Sequence, residues 1–310
     1  MASAAHNLAV PVETDTESPA GAAGPAPATV AALGEQRRLR VNGVELNVLV
    51  AGEGPDVLLI HGFPDSWEVW RRQVPVLVAA GYRVIAPDMR GCGDSEIRPD
   101  VADYRMEHLL ADLVALLDHL GIAKVKLVAH DWGAVIGWQF AMAHPERVER
   151  YVALSVGHPH AYAHADPMQK IHGWYVLAIQ ARGLAEWMVS RRYWAGLRRM
   201  VRYDDEFPRW RERLSRPGRL TAGLNYYRAN LGLMRGRGLD QPVTVPVDAF
   251  WSSGDRFLTE KQMKASERLV RAPWTYTRID GANHWLQLDA ADRFNPMLLD
   301  RLAGRDGESR

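Results

Sequence analysis

The fold is decided by the stretch Val125-Lys126-Leu127-Val128-Ala129-His130-Asp131-Trp132-Gly133-Ala134. It predicts a short apolar strand that runs directly into a helix beginning near Trp132. Ala129 and Gly133 place small residues two positions on either side of Asp131, the spacing that a sharp strand-to-helix turn needs to expose one side chain. That side chain is a carboxylate, and carboxylates serve as covalent nucleophiles in enzymes. Asp131 also suits an ordinary helix N-cap, so the rest of the chain has to decide between the two.

The composition predicts one large domain without bulk affinity for polyanions. A chain of 310 residues, 47% of them hydrophobic, can bury a single core that carries an insertion. The net charge of +1 gives no overall field for nucleic acid or an anionic membrane. The single cysteine, Cys92, excludes an internal disulfide and fits a reducing compartment. With no run near the ~18 apolar residues of a membrane span and no signal-peptide pattern, we expect a cytoplasmic monomer or homodimer.

The first half of the chain predicts an α/β architecture. Residues 1–34 are rich in Ala and Pro without a sustained period, which indicates a disordered arm. Alternating apolar and polar residues on both sides of Asn42-Gly43 predict an antiparallel hairpin. Residues 57–60 and 84–86 are continuous apolar runs typical of buried parallel strands, with a helix predicted between them over residues 70–80. Apolar residues at helical spacing then predict a helix that starts near Met106 and ends at Gly121.

The second half predicts a helical insertion. Residues 158–241 contain Trp, Tyr, Met and many Arg in helix-like windows but no buried strand pattern. A strand pattern returns over residues 246–251, after Pro242. We therefore predict a helical lid over residues 158–241, inserted into a core formed by residues 35–157 and 242–310. Beyond the lid, the patterns predict a helix over 261–270, a strand near 274–277 and a closing helix from about 290.

The motif that follows the third predicted strand supplies a context for Asp131. His61-Gly62-Phe63-Pro64 follows a predicted strand, and its turn can direct the backbone N–H of Phe63 to the same space as the N–H of Trp132. Two such donors would stabilise the oxyanion that forms when water attacks an ester on Asp131. As a lone turn, this motif also occurs without any function.

The order of the candidate side chains matches a hydrolase triad. Asp255 follows the strand after the lid, and His284 follows the last strand. A nucleophile at a sharp turn, then an acid, then a histidine is the chain order of the α/β-hydrolase architecture. His284 would activate water as a base, and Asp255 would fix its tautomer and stabilise the imidazolium. Taken alone, Asp255 also suits a turn and His284 a loop.

Other residues compete for a functional role. His158, His160 and His164 cluster at the start of the lid, but no carboxylate or cysteine pattern completes a metal site there, and we predict no metal. Ser155 lies in a stretch that mimics a serine elbow. Pro159 follows closely, and because the residue before a proline is disfavoured in a helix, Ser155 is not the expected nucleophile.

As a group, the motifs resemble the epoxide hydrolase branch of the α/β-hydrolase superfamily, which is related to the haloalkane dehalogenases. The resemblance extends from about Arg37 to the last predicted helix. The sequence departs from the family pattern at Gly133-Ala134, where a double glycine is common. The resemblance implies an α/β-hydrolase fold, that is, a mostly parallel sheet flanked by helices with an inserted helical lid. It is carried by the motifs His61-Gly62-Phe63-Pro64, Arg90-Gly91-Cys92-Gly93-Asp94-Ser95, His130-Asp131-Trp132-Gly133, Gly254-Asp255 and Gly281-Ala282-Asn283-His284.

The resemblance also implies two lid tyrosines that bind and protonate an epoxide oxygen. The segment around Tyr175 is similar to the first, and Leu224-Asn225-Tyr226-Tyr227-Arg228 is similar to the second. The match favours Tyr227 and leaves Tyr226 as the alternative. Tyrosines at helical spacing also serve as packing residues with a polar tip, so the residues alone leave both roles open.

The function that these features predict is hydrolysis of an epoxide to a vicinal diol without a cofactor. Asp131 would form an ester with the substrate, and water activated by His284 would hydrolyse it. We expect an apolar pocket lined by Trp132, Trp174 and Trp285 that takes a small apolar organic substrate. No nucleic-acid partner and no membrane span are expected.

Two alternative functions remain open at the level of sequence. A haloalkane dehalogenase would use the same triad, and Trp132 would supply one halide donor, but Phe63 has no side-chain N–H to supply a second. A non-catalytic hydrolase fold would use the pocket to capture an apolar ligand. The intact set of nucleophile, acid and base disfavours that reading, because binding alone does not require it.

Overall fold

The computed structural model describes residues 33–164, 166–234 and 241–305. The predicted N-terminal arm, residues 1–34, lies outside the described residues except for Leu33 and Gly34. So does the stretch 235–240 near the end of the predicted lid.

The core is an eight-stranded sheet in the order β1-β2-β4-β3-β5-β6-β7-β8. The six strands β3 to β8 run parallel to one another, while β2 runs antiparallel to both β1 and β4. This arrangement confirms the mostly parallel sheet that the sequence predicts. The strands are β1 (Glu35–Val41), β2 (Val44–Ala51), β3 (Asp56–Ile60), β4 (Arg83–Pro87), β5 (Val125–His130), β6 (Val148–Leu154), β7 (Val247–Ser252) and β8 (Trp274–Ile279).

The predicted hairpin at Asn42-Gly43 is confirmed. Val41 pairs with Val44 across a two-residue turn. Asn42 has φ 47° and Gly43 has φ 72°, and two positive φ values are what a tight turn with the right strand twist requires. Asn and Gly tolerate this conformation, so these two residues fix the register of β1 on β2.

Six helices belong to the core. α3 packs on β5 and β6, α2 lies against β1, and α13 packs on β6. The helices are α1 (Val74–Ala79), α2 (Met106–His119), α3 (Trp132–Ala143), α11 (Glu260–Ala265), α12 (Leu286–Asp289) and α13 (Ala291–Leu302). The first of them is shorter than the predicted helix over 70–80, because a 3-10 turn occupies Trp67–Trp70 and Pro75, which lacks an N–H, suits the first turn of a new helix.

Seven helices lie between β6 and β7 along the described chain, within the segment predicted as a lid. We refer to them together as the inserted helices. α7 is interrupted at Arg191 to Trp194, where the backbone leaves the helical region. The inserted helices are α4 (Pro159–His164), α5 (Pro167–His172), α6 (Trp174–Ile179), α7 (Leu184–Val201), α8 (Phe207–Ser215), α9 (Arg219–Ala229) and α10 (Leu231–Met234). Within the described ranges, the helices fall short of the length and apolar character needed to cross a bilayer.

The parallel strands bring the candidate residues to one edge of the sheet. β3, β5, β7 and β8 all end at their carboxyl sides next to a candidate motif, and β3 and β5 are direct neighbours. Ligands of open α/β sheets bind at this edge. The loops that carry Phe63, Asp131, Asp255 and His284 therefore meet in space although they are far apart along the chain.

A buried ion pair fixes the loop after β4 to helix α2. The Arg90 guanidinium donates two hydrogen bonds to the carboxylate of Asp112, of 2.6 and 2.5 Å. Their side chains are only 4% and 0% exposed. The Asn42 side chain also donates to Asp112 at 2.9 Å. For a pair buried this deeply, removing one partner lowers the stability of the fold more than replacing both partners by apolar residues.

The Arg90–Asp112 pair can be tested with two substitutions in α2. Asp112→Ala is expected to lower the free energy of unfolding by about 3–5 kcal/mol, because it leaves a buried guanidinium without its carboxylate. Asp118→Ala is the matched control, since that side chain is 62% exposed and pairs with Arg147, and its loss should stay below about 1 kcal/mol. Urea unfolding followed by circular dichroism measures both. Equal losses would contradict a stabilising role for the buried pair.

Candidate active site

Asp131 stands at the junction of β5 and α3 in a backbone conformation that few non-glycine residues adopt. Its φ is 54° and its ψ is −122°, so the turn is sharp and the side chain is held out from the strand. Gly133 has to be small, because a Cβ there would lie 2.2 Å from the carbonyl oxygen of Ile60. A Cβ on Gly62 would lie 2.4 Å from Oδ1 of Asp131. The glycines thus let two loops close around one carboxylate.

The loop after β3 binds one oxygen of that carboxylate. The backbone N–H of Phe63 donates to Oδ1 of Asp131 at 2.8 Å. Trp132 is the first residue of α3, where backbone N–H groups have no acceptor within the helix. Burial raises the pKa of Asp131, but the hydrogen bond and charge of His284 outweigh it and the net pKa is lowered. Asp131 is therefore ionised at neutral pH.

His284 lies between two carboxylates. Its Nδ1 is 2.7 Å from Oδ2 of Asp255, and its Nε2 is 3.5 Å from Oδ2 of Asp131. The other oxygen of Asp255 accepts backbone N–H bonds from Phe257 and Leu258, at 2.8 and 3.0 Å. Asp255 is therefore fixed from both sides, and it holds the imidazole with Nε2 directed at Asp131.

The two carboxylates keep the imidazole charged. Burial lowers the pKa of His284, but the charges of Asp255 and Asp131, with their hydrogen bonds, outweigh it and raise the pKa to about 10. In the resting protein His284 is consequently an imidazolium. It would become a base only after one of the neighbouring negative charges is removed.

Tyr175 and Tyr227 come together beside Asp131. Their ring centroids are 6.0 Å apart in an edge-on arrangement, and both line the same cavity as Asp131 and Trp132. Burial raises the pKa of each phenol well above the usual 10. Both hydroxyls are therefore neutral and able to donate a hydrogen bond. Tyr226 differs, because its hydroxyl donates to the carbonyl oxygen of Arg90 at 2.8 Å.

The three candidate pocket tryptophans take different positions. Trp132 lines the cavity with Asp131. Trp285 is buried and, with Phe63, Asp131 and His284, lines an adjoining small cavity. Trp174 does not line either cavity. Its side chain is 63% exposed and lies at a separate outer cavity, since α6 buries Val176 and Ile179 instead. Trp174 therefore lies apart from the two cavities that border Asp131.

Sequence reasoning missed a buried carboxylate that supports the site. Asp65 accepts the indole N–H of Trp210 at 2.8 Å and that of Trp285 at 2.9 Å. Burial raises the pKa of Asp65 to about 7. Trp285 is adjacent to His284, and Trp210 belongs to α8, so Asp65 connects the histidine loop with the inserted helices. Its partners lie 145 and 220 positions away, and no local pattern indicates them.

Two further buried side chains support the histidine loop from behind. The carbonyl oxygen of His284 accepts the hydroxyl of Ser155 at 3.1 Å and lies 3.0 Å from Nε2 of His130. Ser155 thus contacts the backbone of the histidine rather than its ring.

His158 is buried, with Nε2 near the carbonyl oxygen of Gln241. Among the residues that the structure describes, no group of three His, Cys, Asp or Glu is arranged to hold a metal ion.

The class of protein follows from the fold together with a family match. Residues 55–291 match the family model for the alpha/beta hydrolase fold. The match includes β3 to β8 and the candidate triad. The chain belongs to the α/β-hydrolase family, as the sequence predicts.

Relatives over nearly the whole chain define its place within that class. Epoxide hydrolase 3 of Xenopus tropicalis is 32% identical over 300 residues, which cover 90% of this chain and 81% of that protein. Epoxide hydrolase A of Mycobacterium tuberculosis (strain ATCC 25618 / H37Rv) is 33% identical over 316 residues, covering 87% and 97%. The crystal structure of epoxide hydrolase VrEH1 from Vigna radiata has a TM-score of 0.76 and 30% identity, covering 87% of this chain and 98% of that chain. The protein is a hydrolase of the epoxide hydrolase family.

The charge arrangement around His284 predicts its titration. We expect the imidazole of His284 to lose its proton at about pH 10. Asp131→Asn should lower this pKa, because it removes one of the two carboxylate charges that raise it. Since the folded pKa exceeds the ordinary 6.5, the protonated imidazole stabilises the fold below pH 6.5, and this stabilisation is lost as the pH rises to 10. Asp131→Asn should therefore weaken the pH dependence of stability in that window.

Nitrogen-15 NMR of histidine-labelled protein measures the titration directly. Asp292→Asn, on the exposed side of α13, is the control that removes an equal charge away from the site. It should leave the titration of His284 unchanged. A His284 that titrates near pH 6.5 in the unsubstituted protein would show that the two carboxylates do not act on it as inferred.

Proposed function

We propose that this protein hydrolyses an epoxide to a vicinal diol through a covalent ester on Asp131. One observation carries the proposal: an ionised carboxylate, bound at one oxygen by the Phe63 N–H, shares a cavity with two neutral tyrosines. A nucleophile and two proton donors around one small apolar space suit a substrate whose carbon is attacked while its oxygen is protonated. The names of the relatives support the same reaction. The steps use only side chains and water, without a cofactor.

The first step opens the ring. Because Oδ1 of Asp131 accepts the N–H of Phe63, we assign the attack to Oδ2, the oxygen that faces His284. Oδ2 attacks a ring carbon, the C–O bond of the epoxide breaks, and the departing oxygen takes a proton from Tyr175 or Tyr227. Their raised pKa values keep the protons in place until the alkoxide forms. The inserted helices serve as the lid that brings both tyrosines over the core.

The second step hydrolyses the ester and starts with a change in charge. Ester formation neutralises Asp131, so one of the charges that raise the pKa of His284 is lost. His284 then releases its proton to solvent while the tyrosinate takes one up, so the tyrosine is neutral again and His284 becomes a neutral base. It takes a proton from water, and the hydroxide attacks the ester carbon.

The oxyanion formed in this step lies on Oδ1. The N–H groups of Phe63 and Trp132 stabilise it there. The intermediate collapses when its carbon–Oδ2 bond breaks, and Oδ2 takes the remaining proton of the attacking water and leaves as a hydroxyl of the diol. The regenerated carboxylate of Asp131 raises the pKa of His284 again, so His284 keeps the proton that it took from water. Each half of the cycle thus sets the protonation state that the other half needs.

A trapped intermediate distinguishes the proposed reaction from its alternatives. His284→Gln should still be alkylated at Asp131 but should not release product, since only hydrolysis needs the base. With an epoxide, the mass of the protein should increase by the full mass of the epoxide, because nothing leaves. With a haloalkane, it would increase by the haloalkane less one hydrogen halide. Intact-protein mass spectrometry followed by peptide mapping measures both.

The control is Asp131→Asn/His284→Gln, which should form no adduct. An adduct with haloalkanes alone would establish the dehalogenase reading. Binding of apolar ligands with no adduct and no turnover would favour the non-catalytic fold. An epoxide adduct on a residue other than Asp131 would defeat the proposed mechanism.

The tyrosines can be separated from their neighbour by a matched series. Tyr175→Phe and Tyr227→Phe should each slow alkylation by roughly 10²–10⁴-fold, the usual loss of general acid help, and the double variant should be slowest. Tyr226→Phe removes an equally buried hydroxyl that is bound to Arg90, so alkylation should be nearly unaffected. Single-turnover alkylation rates in the His284→Gln background isolate the step. Full rates in the double variant would remove both tyrosines from the mechanism.

A further inference from the structure

The inserted helices carry an unusual concentration of exposed apolar side chains. Scattered apolar residues are normal on protein surfaces, whereas a local concentration marks an interaction site. On α7, Leu184, Trp187 and Met188 follow one another at the spacing of a single helix face. We call the whole set the apolar face. Throughout the described chain, the large apolar residues that are exposed all belong to it: Met168, Ile171, Trp174, Leu177, Leu184, Trp187, Met188 and Tyr193.

The same segment is strongly basic. Residues 167–202 contain seven Lys or Arg and a single acidic residue, Glu186, which is itself paired with Arg228. Arg191, Arg192 and Arg199 are exposed. In the described ranges, none of these three comes within ion-pair distance of a carboxylate. The Arg191 guanidinium lies 4.6 Å above the ring of Trp187, so charge and apolar surface occupy the same face.

A cavity of about 610 Å³ opens at this face. Its exposed lining residues, which we take as its mouth, include Trp174, Met188 and the three unpaired arginines. Its inner wall includes Tyr175, which also lines the cavity beside Asp131. The cavity at the apolar face therefore shares the residue Tyr175 with the cavity of the candidate active site.

We propose that the apolar face docks on the surface of an anionic lipid bilayer. Trp, Leu and Met side chains insert at the boundary of headgroups and acyl chains, while arginines pair with the phosphates. A second copy of this chain is a poorer occupant, because two such faces would oppose arginine to arginine, and the one acidic residue of residues 167–202, Glu186, is already paired with Arg228. The near-neutral charge of the whole chain does not oppose docking, since the positive charge is local.

The orientation gives apolar substrates a direct route. With the face on the bilayer, the cavity mouth opens toward the lipid, and an apolar epoxide can move from the bilayer to Tyr175 without crossing bulk water. This route, unlike the docking itself, rests on the proposed epoxide hydrolysis.

Vesicle sedimentation tests the docking without any turnover. We expect the full chain to sediment with vesicles of phosphatidylcholine and phosphatidylglycerol far more than with phosphatidylcholine alone, and less at high salt. Arg191→Gln/Arg192→Gln/Arg199→Gln should lower partitioning by about fivefold for each arginine. Arg37→Gln/Arg38→Gln/Arg40→Gln removes the same charge from exposed positions of β1 and should sediment like the unsubstituted protein.

A second variant tests the apolar part of the face. Leu184→Ser/Trp187→Ser keeps every charge and should also weaken sedimentation, with circular dichroism confirming that it is folded. Docking is overturned if the unsubstituted protein does not sediment with anionic vesicles. It is also overturned if the triple arginine variant of the apolar face and the triple arginine variant of β1 sediment equally. It is also overturned by a dimer, seen in light scattering, that forms through this face. Such a dimer would dissociate in Leu184→Ser/Trp187→Ser and would persist when anionic vesicles are added.

The route is tested by comparing two substrates. For each variant, two turnover rates are measured: one with a water-soluble epoxide, and one with an apolar epoxide dissolved in anionic vesicles. The first rate is the reference for the second. The docking variants should lose a larger factor on the vesicle-borne substrate. Equal losses would overturn the route, and absence of turnover on both substrates in the unsubstituted protein would overturn the proposed function while leaving the sedimentation result standing.

Discussion

The candidate site depends on one buried imidazolium shared by two carboxylates. Asp255 holds His284 at 2.7 Å, and Asp131 faces its other nitrogen at 3.5 Å. The Asp255 side chain is fully buried and that of Asp131 is only 13% exposed, so their two negative charges would be costly without a cation between them. The loops after β5, β7 and β8 are therefore held together by charge as well as by packing, and the same balance decides when His284 can accept a proton.

Each part of the candidate site has a local signature in the sequence. Asp131 lies between small residues at a strand end, and Asp255 and His284 follow later strands in the expected order. Parallel strands place such ends at one edge of the sheet, so order along the chain is enough to bring them together. The hairpin at Asn42-Gly43 is predictable for the same reason, because its conformation is set by two adjacent residues.

What the sequence does not reveal depends on contacts between distant segments. In the sequence, Asp65 is only a carboxylate in a turn. Its role depends on the indoles of Trp210 and Trp285, which the fold places against it. The choice between Tyr226 and Tyr227 depends on a helix rotation that places one hydroxyl on Arg90. The position of Trp174 depends on which face of the short α6 is buried, and one turn and a half of helix is too short for periodicity to decide it.

The hydrogen bond from Phe63 to Oδ1 of Asp131 makes the two oxygens of one carboxylate unequal. In the proposed cycle, the attacking oxygen leaves with the diol, because the ester is cleaved at its acyl bond. Oδ1 stays with the protein, held by the same N–H throughout, and the oxygen of water takes the vacant position. In this cycle one of the two oxygens of Asp131 would be replaced by an oxygen from solvent at every turnover, always at the same position.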